Sequence, residues 1–318
     1  MASSLSRLTR GIDGVLGSEA IGAVGRLTTA GSLRVLAYHQ VDDAASFRWQ
    51  MRYLRERFVP VSSALVLQAL QGEANLPARA AWVTFDDADP SVVEQGLPIL
   101  SDMDVPSSMF VCPGLVDSHQ PFWWETVEHA LQAGVAASVQ GRSFGRQNLL
   151  GLLGVLKGLG DAQRREVVGD LERRALDLRG RPYRRRQITT EQLDRYLASG
   201  ATLGNHTWDH PCLDRCDPHA QRQQIEQAHA WLEGYLGEPP LIFAYPNGNH
   251  SLQSESILNE LGYQVGLLFD HRLGSLSQNP LRISRLRVNA STAPRRFAAI
   301  LSGAHPAVHQ LRRRLARA

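Results

Sequence analysis

Two short clusters contain the residues with which this chain of 318 residues could do chemistry. Two adjacent carboxylates, Asp86 and Asp87, end an apolar run that is typical of a buried strand. Two imidazoles, His206 and His210, follow a second strand-like stretch at the spacing H-x3-H. Two histidines and one carboxylate can hold a metal ion that activates water, and the second carboxylate can accept a proton from that water. Each cluster alone also has an ordinary structural explanation, as a helix cap or as paired surface histidines.

Together and in this order, the two clusters resemble the motifs of the polysaccharide deacetylase family, also known as the NodB-homology domain or carbohydrate esterase family 4. Residues 84–87 (TFDD) match the first motif, T-F-D-D-G, except that Ala88 stands in place of the glycine. Residues 206–210 (HTWDH) match the second motif, H-[ST]-x-x-H, and residues 243–248 (FAYPNG) match a third motif in its F-A-Y-P-x-G form. The resemblance extends over residues 33–288.

The resemblance implies a role for the polar residues of these motifs. Asp87, His206 and His210 correspond to the metal ligands of the family, and Asp86 corresponds to the general base. The backbone N–H of Asn247, which follows the third-motif proline, corresponds to the donor that stabilises the developing oxyanion. The ligand set suits Zn²⁺, and Co²⁺, Ni²⁺ or Fe²⁺ would fit similar ligands.

Two departures from the family pattern bear on the mechanism. Ala244 stands where many members have an arginine that orients the base, and residues 281–288 lack the histidine that protonates the leaving amine. Arg282 or Arg285 is expected to hold Asp86 instead, and Arg285 is favoured because Arg282 lies nearer the start of the strand. A guanidinium stays protonated at neutral pH, so neither arginine is a good acid. The candidates for the acid are Asp86 itself, acting as base and acid in turn, and three histidines: His39, His250 and His271.

Aromatic and apolar residues near the motifs are the predicted contacts with the sugar. They are Trp208, Tyr245, Pro246 and Trp124. For Trp124, as for its neighbour Trp123, packing within the fold is an equally good explanation, because large aromatic side chains serve both purposes. The predicted partner is an N-acetylated saccharide.

The resemblance implies a metal-dependent hydrolase that removes acetyl groups from N-acetylated sugars of a polysaccharide or of its biosynthetic intermediate. One alternative is a deformylase or deacetylase of a lipid-linked sugar, favoured because no secretory signal is visible and finished polymers lie outside the cytoplasm. Another is a catalytically silent relative that binds saccharides, since the arginine and histidine described above are missing. The presence of every metal-binding and base residue argues against this second alternative, because a binding module has no use for Asp86.

Positioning these residues requires a scaffold in which the ends of several strands meet. From residue 33 onward, short apolar stretches alternate with amphipathic helices, which is the pattern of a mostly parallel sheet. The motifs follow predicted strands, and the carboxyl ends of barrel strands converge on one mouth. We therefore predict an α/β fold, a distorted (β/α) barrel of about seven strands with a helical insertion. The predicted strands lie near residues 34–39, 81–85, 107–112, 201–205, 241–245, 263–268 and 283–288.

The chain divides into three predicted regions. Residues 31–290 form the polysaccharide-deacetylase-like barrel, and residues 118–187 within it form a helical insertion that acts as a lid or side subdomain. Residues 1–30 form an N-terminal helical segment, which either packs on the outside of the barrel or binds a membrane surface or a partner. Residues 291–318 form a C-terminal basic helix that is broken at residues 304–306 (AHP).

Composition bears on nucleic acid binding, on disulfide formation and on the cellular compartment. The formal net charge of +3 is too small to indicate nucleic acid binding, and the arginines of residues 184–186 and 312–314 are interpreted as solvated surface. The three cysteines have no disulfide spacing, which favours a reducing compartment. The chain also lacks an apolar run of the roughly 18 residues that cross a bilayer. We expect a cytoplasmic protein, with peripheral association on the inner face of the membrane as the alternative.

Overall fold

One parallel sheet, curved into a half-barrel, forms the centre of the fold. The computed structural model describes residues 18–277 and 279–315. The strands are β1 (Arg34–Tyr38), β2 (Val59–Pro60), β3 (Ala80–Phe85), β4 (Ser107–Val111), β5 (Ala137–Val139), β6 (Arg142–Phe144), β7 (Thr202–Asn205), β8 (Ile242–Ala244), β9 (Val265–Leu267) and β10 (Leu286–Arg287). In the central sheet, seven strands pair in the order β10-β1-β3-β4-β7-β8-β9, β2 adds to β3, and every pair is parallel. The predicted fold class is confirmed.

Helices flank the sheet and follow most of its strands. A short π-helical turn, Val92–Gly96, leads into the fourth of them. Within residues 18–277 and 279–315, none of the helices is long and apolar enough to cross a membrane. The helices are α1 (Glu19–Thr28), α2 (Ala44–Arg57), α3 (Ser63–Leu70), α4 (Leu97–Asp102), α5 (Trp123–Gln132), α6 (Leu149–Gly158), α7 (Asp161–Arg179), α8 (Thr190–Ala198), α9 (Pro218–Leu236), α10 (Leu252–Glu260), α11 (Pro294–Leu301) and α12 (Ala304–Leu315).

The central strands are buried on both faces, as expected for a parallel sheet covered by helices. All six residues of β3 and all five residues of β1 are buried. Successive residues of β3 join different apolar clusters, Trp82 one and Val83 the other, because neighbouring side chains on a strand point to opposite faces. The indole N–H of Trp82 donates to the hydroxyl of Ser108 at 3.0 Å. The polar residues that follow β3 are therefore attached to a rigid element.

The last strand brings the two edges of the sheet together. Leu286 and Arg287 of β10 lie opposite Leu36 and Ala37 of β1. A few residues earlier, Ile283 forms a parallel bridge with Leu267 of β9. The stretch between these contacts therefore spans the opening of the half-barrel, and Arg285 lies within it.

The insertion predicted at residues 118–187 has an apolar core of its own. Helices α5, α6 and α7 pack with β5 and β6 into one cluster of buried side chains. The antiparallel β5–β6 hairpin adds two short strands to the predicted helical insertion. Each of its strands has only three residues, too few for a recognisable alternation. Gln140 and Gly141 make the turn with φ of 51° and 72°, the left-handed backbone that suits a two-residue hairpin turn.

Both ends of the chain differ in detail from expectation or lie partly outside the described residues. Helix α1 falls within the predicted N-terminal segment, whereas residues 1–17 are outside the described part. Gly25 of α1 packs so closely on Ser302 that an added Cβ would lie 2.6 Å from the Ser302 carbonyl oxygen. The described part of the segment thus packs on the fold, and membrane binding stays a prediction. The C-terminal helix breaks just before Ala304, and Pro306 falls in the first turn of α12, where proline is tolerated.

The packing of β7 predicts the effect of a single added methyl group. A Cβ at Gly204 would lie 2.5 Å from a ring carbon of Phe110 and 2.7 Å from Cγ1 of Ile242. Gly204→Ala should therefore lower the free energy of unfolding by about 1–3 kcal/mol, measured by chemical denaturation. The matched control is Gly154→Ala in α6, where an added Cβ meets no described atom within 4 Å and should raise stability by up to about 1 kcal/mol. Equal stability of the two variants would contradict this packing.

Candidate active site

The two clusters found in the sequence meet at the carboxyl ends of neighbouring strands. Asp86 and Asp87 directly follow β3, and His206 directly follows β7, with β4 between the two strands. The Nε2 atoms of His206 and His210 each lie 3.4 Å from Oδ1 of Asp87. One ligand atom from each of these three residues lies within 4.8 Å of the others. The fold thus gathers the three predicted metal ligands.

A backbone carbonyl orients the first histidine. Nδ1 of His206 lies 2.7 Å from the carbonyl oxygen of Ala244 and donates its proton there, which leaves the lone pair of Nε2 facing Asp87. Burial lowers the pKa of His206, but the carboxylates of Asp86 and Asp87 outweigh burial and raise it above the ordinary value. The negative charge beside this imidazole favours a cation at the site.

The donor atoms of the cluster fit a divalent cation. Oδ1 of Asp87 is buried and has no hydrogen-bond partner in the described part of the chain. Burial raises the pKa of Asp87, but the imidazoles of His210 and His206 outweigh this effect and hold the pKa below its usual range. Burial also lowers the pKa of His210 to about 4, so its imidazole is neutral and can ligate. One carboxylate and two imidazoles are the nitrogen and oxygen ligands of open zinc sites.

Left-handed backbone shapes the turns that carry the cluster. Asp87, Thr207 and His210 have φ of 66°, 68° and 61°. Ala88, which replaces the glycine of the first motif, has φ of 51°. A residue with a Cβ adopts this conformation at a cost of about 1–2 kcal/mol, so the turn keeps the shape of the motif without its glycine.

Arg285 forms a buried, bidentate ion pair with Asp86. Its Nη1 and Nη2 atoms lie 2.7 Å from Oδ1 and Oδ2 of the carboxylate, and the two side chains are 0% and 4% exposed. The Nε–H donates to the carbonyl oxygen of Leu268 at 2.6 Å. Burial raises the pKa of Asp86, but the Arg285 guanidinium outweighs burial and holds the pKa below its usual range. The contact expected between a last-strand arginine and Asp86 is therefore present.

Arg282, the other arginine considered for this contact, has a different partner. Its guanidinium pairs with Glu255 of α10, with 2.8 Å between Nη2 and Oε2. Arg282 ends the 3-10 turn Pro280–Arg282, before the chain reaches the bridge at Ile283. Its side chain is 37% exposed, and Arg285 alone of the two contacts Asp86 in the described structure.

A small cavity of about 180 Å³ opens beside the metal-ligand cluster. Asp87, His39 and Trp124 line it. The rings of Trp124 and His210 are 4.6 Å apart, centroid to centroid. Trp124 therefore lies beside the metal-ligand cluster, where it could contact a substrate. It also packs against the ring of Phe122, with 4.5 Å between the centroids.

Arg185 is a residue of this cavity that the sequence reasoning missed. The sequence predicts solvated surface at residues 184–186, yet Arg185 lines the cavity and pairs with Asp89 at 2.6 Å and with Glu125 at 3.3 Å. No sequence signal identifies Arg185, because three consecutive arginines cannot be distinguished by residue type. The insertion thus contributes a cation to the mouth of the barrel.

Two of the predicted sugar contacts are buried in the structure. Tyr245 is fully buried and packs on Phe243, with ring centroids 5.0 Å apart, and Pro246 is buried as well. Neither can stack on a sugar, because both belong to the support beneath the third motif rather than to its surface. Trp208 is half-buried and lies against Gly114, so only part of its ring is available.

The three histidines considered as acids lie in different places. His39 lines the cavity next to Asp87. His250 lies near Glu255, with 3.9 Å between Nε2 and Oε1. His271 is engaged at both ring nitrogens, by the backbone N–H of Arg287 at 3.1 Å and by His305 at 2.9 Å. Of the three, His39 is placed beside the cluster.

The insertion contacts the loops of the second and third motifs. Lys157 of α6, the only lysine of the chain, donates to the side-chain oxygen of Asn247 at 2.5 Å. Asn247 has a left-handed φ of 57°. Arg165 of α7 forms two contacts of 2.9 Å with Asp209, which directly precedes the second histidine ligand. These contacts attach the insertion to one side of the barrel mouth.

Comparison with known families agrees with this architecture. The sequence profile of the family described as polysaccharide deacetylase matches residues 73–180 and 182–266, more than half of the chain. The chain therefore belongs to the polysaccharide deacetylase family. Membership supports an amidohydrolase that acts on N-acetylated saccharides.

Individual relatives are more distant. YxkH of Bacillus subtilis (strain 168), named as a polysaccharide deacetylase, is 23% identical over 114 residues, which cover 36% of this chain and 41% of that protein. The structure of Streptococcus pyogenes deacetylase PplD in complex with acetate has a TM-score of 0.59 and 16% identity, covering 85% of this chain and 98% of that one. IcaB from Ammonifex degensii has a TM-score of 0.56 and 20% identity, covering 86% and 97%. At these identities the solved structures support the fold.

The cluster predicts the effect of removing one imidazole. His206→Ala and His210→Ala should each lose tightly bound divalent metal, because two remaining ligands hold a cation poorly. Metal content after dialysis, measured by mass spectrometry, is the readout. His250→Ala, a histidine outside the cluster, should keep the metal content of the unmodified protein. Full occupancy in both cluster variants would contradict the proposed site.

Proposed function

We propose that this protein is a metal-dependent amidohydrolase that removes acetyl groups from N-acetylated sugars of a polysaccharide or of its biosynthetic intermediate. The observation that carries the proposal is the different surroundings of two neighbouring carboxylates. Asp87 faces His206 and His210, whereas Asp86 is held by Arg285. Saccharide binding alone has no use for this arrangement, but hydrolysis requires both a metal ligand and a base.

Asp87, His206 and His210 are the residues that would hold the cation. Zn²⁺ suits them best, and Co²⁺, Ni²⁺ or Fe²⁺ would accept a similar set. When bound, a divalent cation lowers the pKa of a water ligand and polarises the carbonyl of the scissile amide.

Residues of the chain supply the base and a donor for the oxyanion. Arg285 keeps Asp86 ionised, and each carboxylate oxygen has a further lone pair with which to accept the proton of the attacking water. The backbone N–H of Asn247 is the proposed donor to the developing oxyanion, and one such donor contributes about 3–4 kcal/mol. Lys157 holds the side chain of Asn247 and so restrains this loop.

The proposed acid is His39. It lines the cavity beside Asp87, where a leaving amine would be released, while the other two candidate histidines have partners elsewhere. In this scheme Asp86 takes a proton from water and His39 delivers one to the departing nitrogen.

The buried pair also weighs against a catalytically silent relative. That alternative rested on two departures from the family pattern, Ala244 and the missing histidine of the last strand. Arg285 supplies the cation that Ala244 cannot, and it does so from the strand in which the histidine is absent. A guanidinium that orients the base is a feature expected of an active enzyme.

Asp86→Asn tests the proposed function directly. The variant should keep its metal but lose about 10²–10⁴-fold in turnover, because an amide is no base. Release of acetate and of formate should be measured from N-acetylated oligosaccharides and from lipid-linked N-acyl sugars, which also separates the polymer from the lipid-linked alternative. If the unmodified protein, loaded with metal, releases neither acid from any of them, the proposal is wrong.

His39→Gln separates the two schemes for the acid in the same assay. Loss of turnover with metal retained is expected, since glutamine cannot deliver the proton. Unchanged turnover would mean that Asp86 serves as base and acid in turn.

Arg285→Met tests the support of the base. The pKa of Asp86 is depressed by the guanidinium, so removing it should raise that pKa and move the acidic limb of the pH–rate profile to higher pH. Turnover near neutral pH should fall with metal content unchanged. The matched control is Arg282→Met, which removes an arginine of the same stretch that pairs with Glu255 and should leave the profile in place. An unshifted acidic limb in folded, metal-loaded Arg285→Met would contradict the role.

A further inference from the structure

A second, larger cavity is lined by residues that adjoin the metal-ligand cluster in sequence. Its volume is about 440 Å³, within the range of small-molecule sites. Helices α5 and α7 of the insertion form two sides, and the loop after β7 forms a third. Trp123, Arg164, Arg165, Glu172 and Asp209 line it.

Two buried hydrogen-bond donors in this lining lack acceptors. Arg164 is 2% exposed, and its Nη2 atom pairs with Asp161, while its Nη1 atom has no partner among the residues described. The indole Nε1 of Trp123 is likewise buried without a described acceptor. The guanidinium carbon of Arg164 lies 5.1 Å from the centre of the Trp123 ring, so the two donors are neighbours. A buried donor left without an acceptor costs about 1–3 kcal/mol, so an oxygen atom of a ligand that accepted from either group would recover part of that cost.

The charges around the cavity favour a neutral ligand. Arg165 is paired with Asp209 and with Asp161, and Asp161 also pairs with Arg164. Glu172 adds a further carboxylate to the lining. The guanidinium charges are therefore already matched by carboxylates, and an anion would meet no uncompensated positive charge. The two unpaired donors could instead bind neutral oxygen acceptors, such as sugar hydroxyl groups and acyl-amide carbonyls.

The cavity and the metal-ligand cluster share two short pieces of wall. Trp123 lines the cavity, and the next residue, Trp124, contacts His210 of the cluster. Asp209 lines the cavity, and the next residue is His210 itself. Consecutive residues thus belong to the two sites, so the cavity and the cluster share short segments of chain.

We infer that this cavity is a subsite that binds a neighbouring sugar unit of the substrate, with Arg164 and Trp123 donating to its oxygen atoms. The inference rests on the proposed function for the identity of the ligand. It makes the insertion a determinant of substrate length: a saccharide that spans both sites gains contacts that a single sugar cannot make.

The experiment measures how binding and turnover depend on chain length. N-Acetylglucosamine and its β-1,4- and β-1,6-linked tetramers serve as probes, with calorimetry on metal-free protein and initial rates on metal-loaded protein. A tetramer should bind at least about tenfold more tightly than the monomer.

Two variants test the proposed donors. Trp123→Phe keeps the ring and removes the N–H, and Arg164→Met removes the guanidinium. Each should weaken tetramer binding about 5- to 10-fold, the effect of one lost hydrogen bond. The KM for the tetramer should rise by the same factor with kcat unchanged, and kinetics on the monomer should not change.

Controls separate this inference from the proposed function. Arg173→Met, an exposed arginine of the same helix, should bind the tetramer as the unmodified protein does. His206→Ala should lose turnover and retain tetramer binding. Tetramer binding that depends on Trp123, in a protein without deacetylase activity, would support the subsite and refute the proposed function. Turnover with tetramer affinity unaffected by Trp123→Phe, or failure of both tetramers to bind better than the monomer, would overturn the subsite. If Arg164→Met does not fold, tetramer binding by Trp123→Phe alone decides whether the subsite exists.

Discussion

The buried pair of Arg285 and Asp86 is the interaction on which the candidate site depends. Moving both charges out of water costs several kcal/mol per ion, a cost offset only when the remaining polar atoms are also satisfied. Here both carboxylate oxygens accept from the guanidinium, its Nε–H reaches a carbonyl oxygen, and the rings of Phe110 and Phe269 lie 5.8 Å from its central carbon. Removing one partner would leave an unpaired buried charge, at a cost of about 3–5 kcal/mol.

That pair connects the architecture of the sheet to the chemistry of the site. Arg285 reaches Asp86 because the last strand contacts both β1 and β9 and so carries the guanidinium across the opening of the half-barrel. With Asp86 held in this way, the adjacent Asp87 is left to the two histidines, and its left-handed backbone turns it toward them. Two carboxylates that are neighbours in sequence therefore have separate surroundings. One can act as a base while the other can bind a metal ion.

Much of this could be predicted from the sequence, and the exceptions have physical causes. Strands buried on both faces leave continuous apolar runs whose ends converge, which predicted that the two clusters meet, and the resemblance to the family implied which of their residues are ligands. Arg285 was identifiable because its stretch alternates arginine with apolar residues. The burial of Tyr245 could not be predicted, because an aromatic residue of a motif can support the loop from beneath as readily as it can contact a sugar. Arg185 and the Trp123–Arg164 pair were missed, since they depend on how the insertion packs against the barrel, and short-range patterns carry no such information.

The central claim is that Asp87, His206 and His210 bind one cation while Asp86 stays with Arg285. Anomalous diffraction from crystals of the zinc-loaded protein tests it most directly. The account predicts a single strong peak about 2.0–2.2 Å from one oxygen of Asp87 and from a nitrogen of each histidine, with the Arg285–Asp86 contacts preserved. A peak bound by Asp86, with Arg285 displaced, would contradict the account.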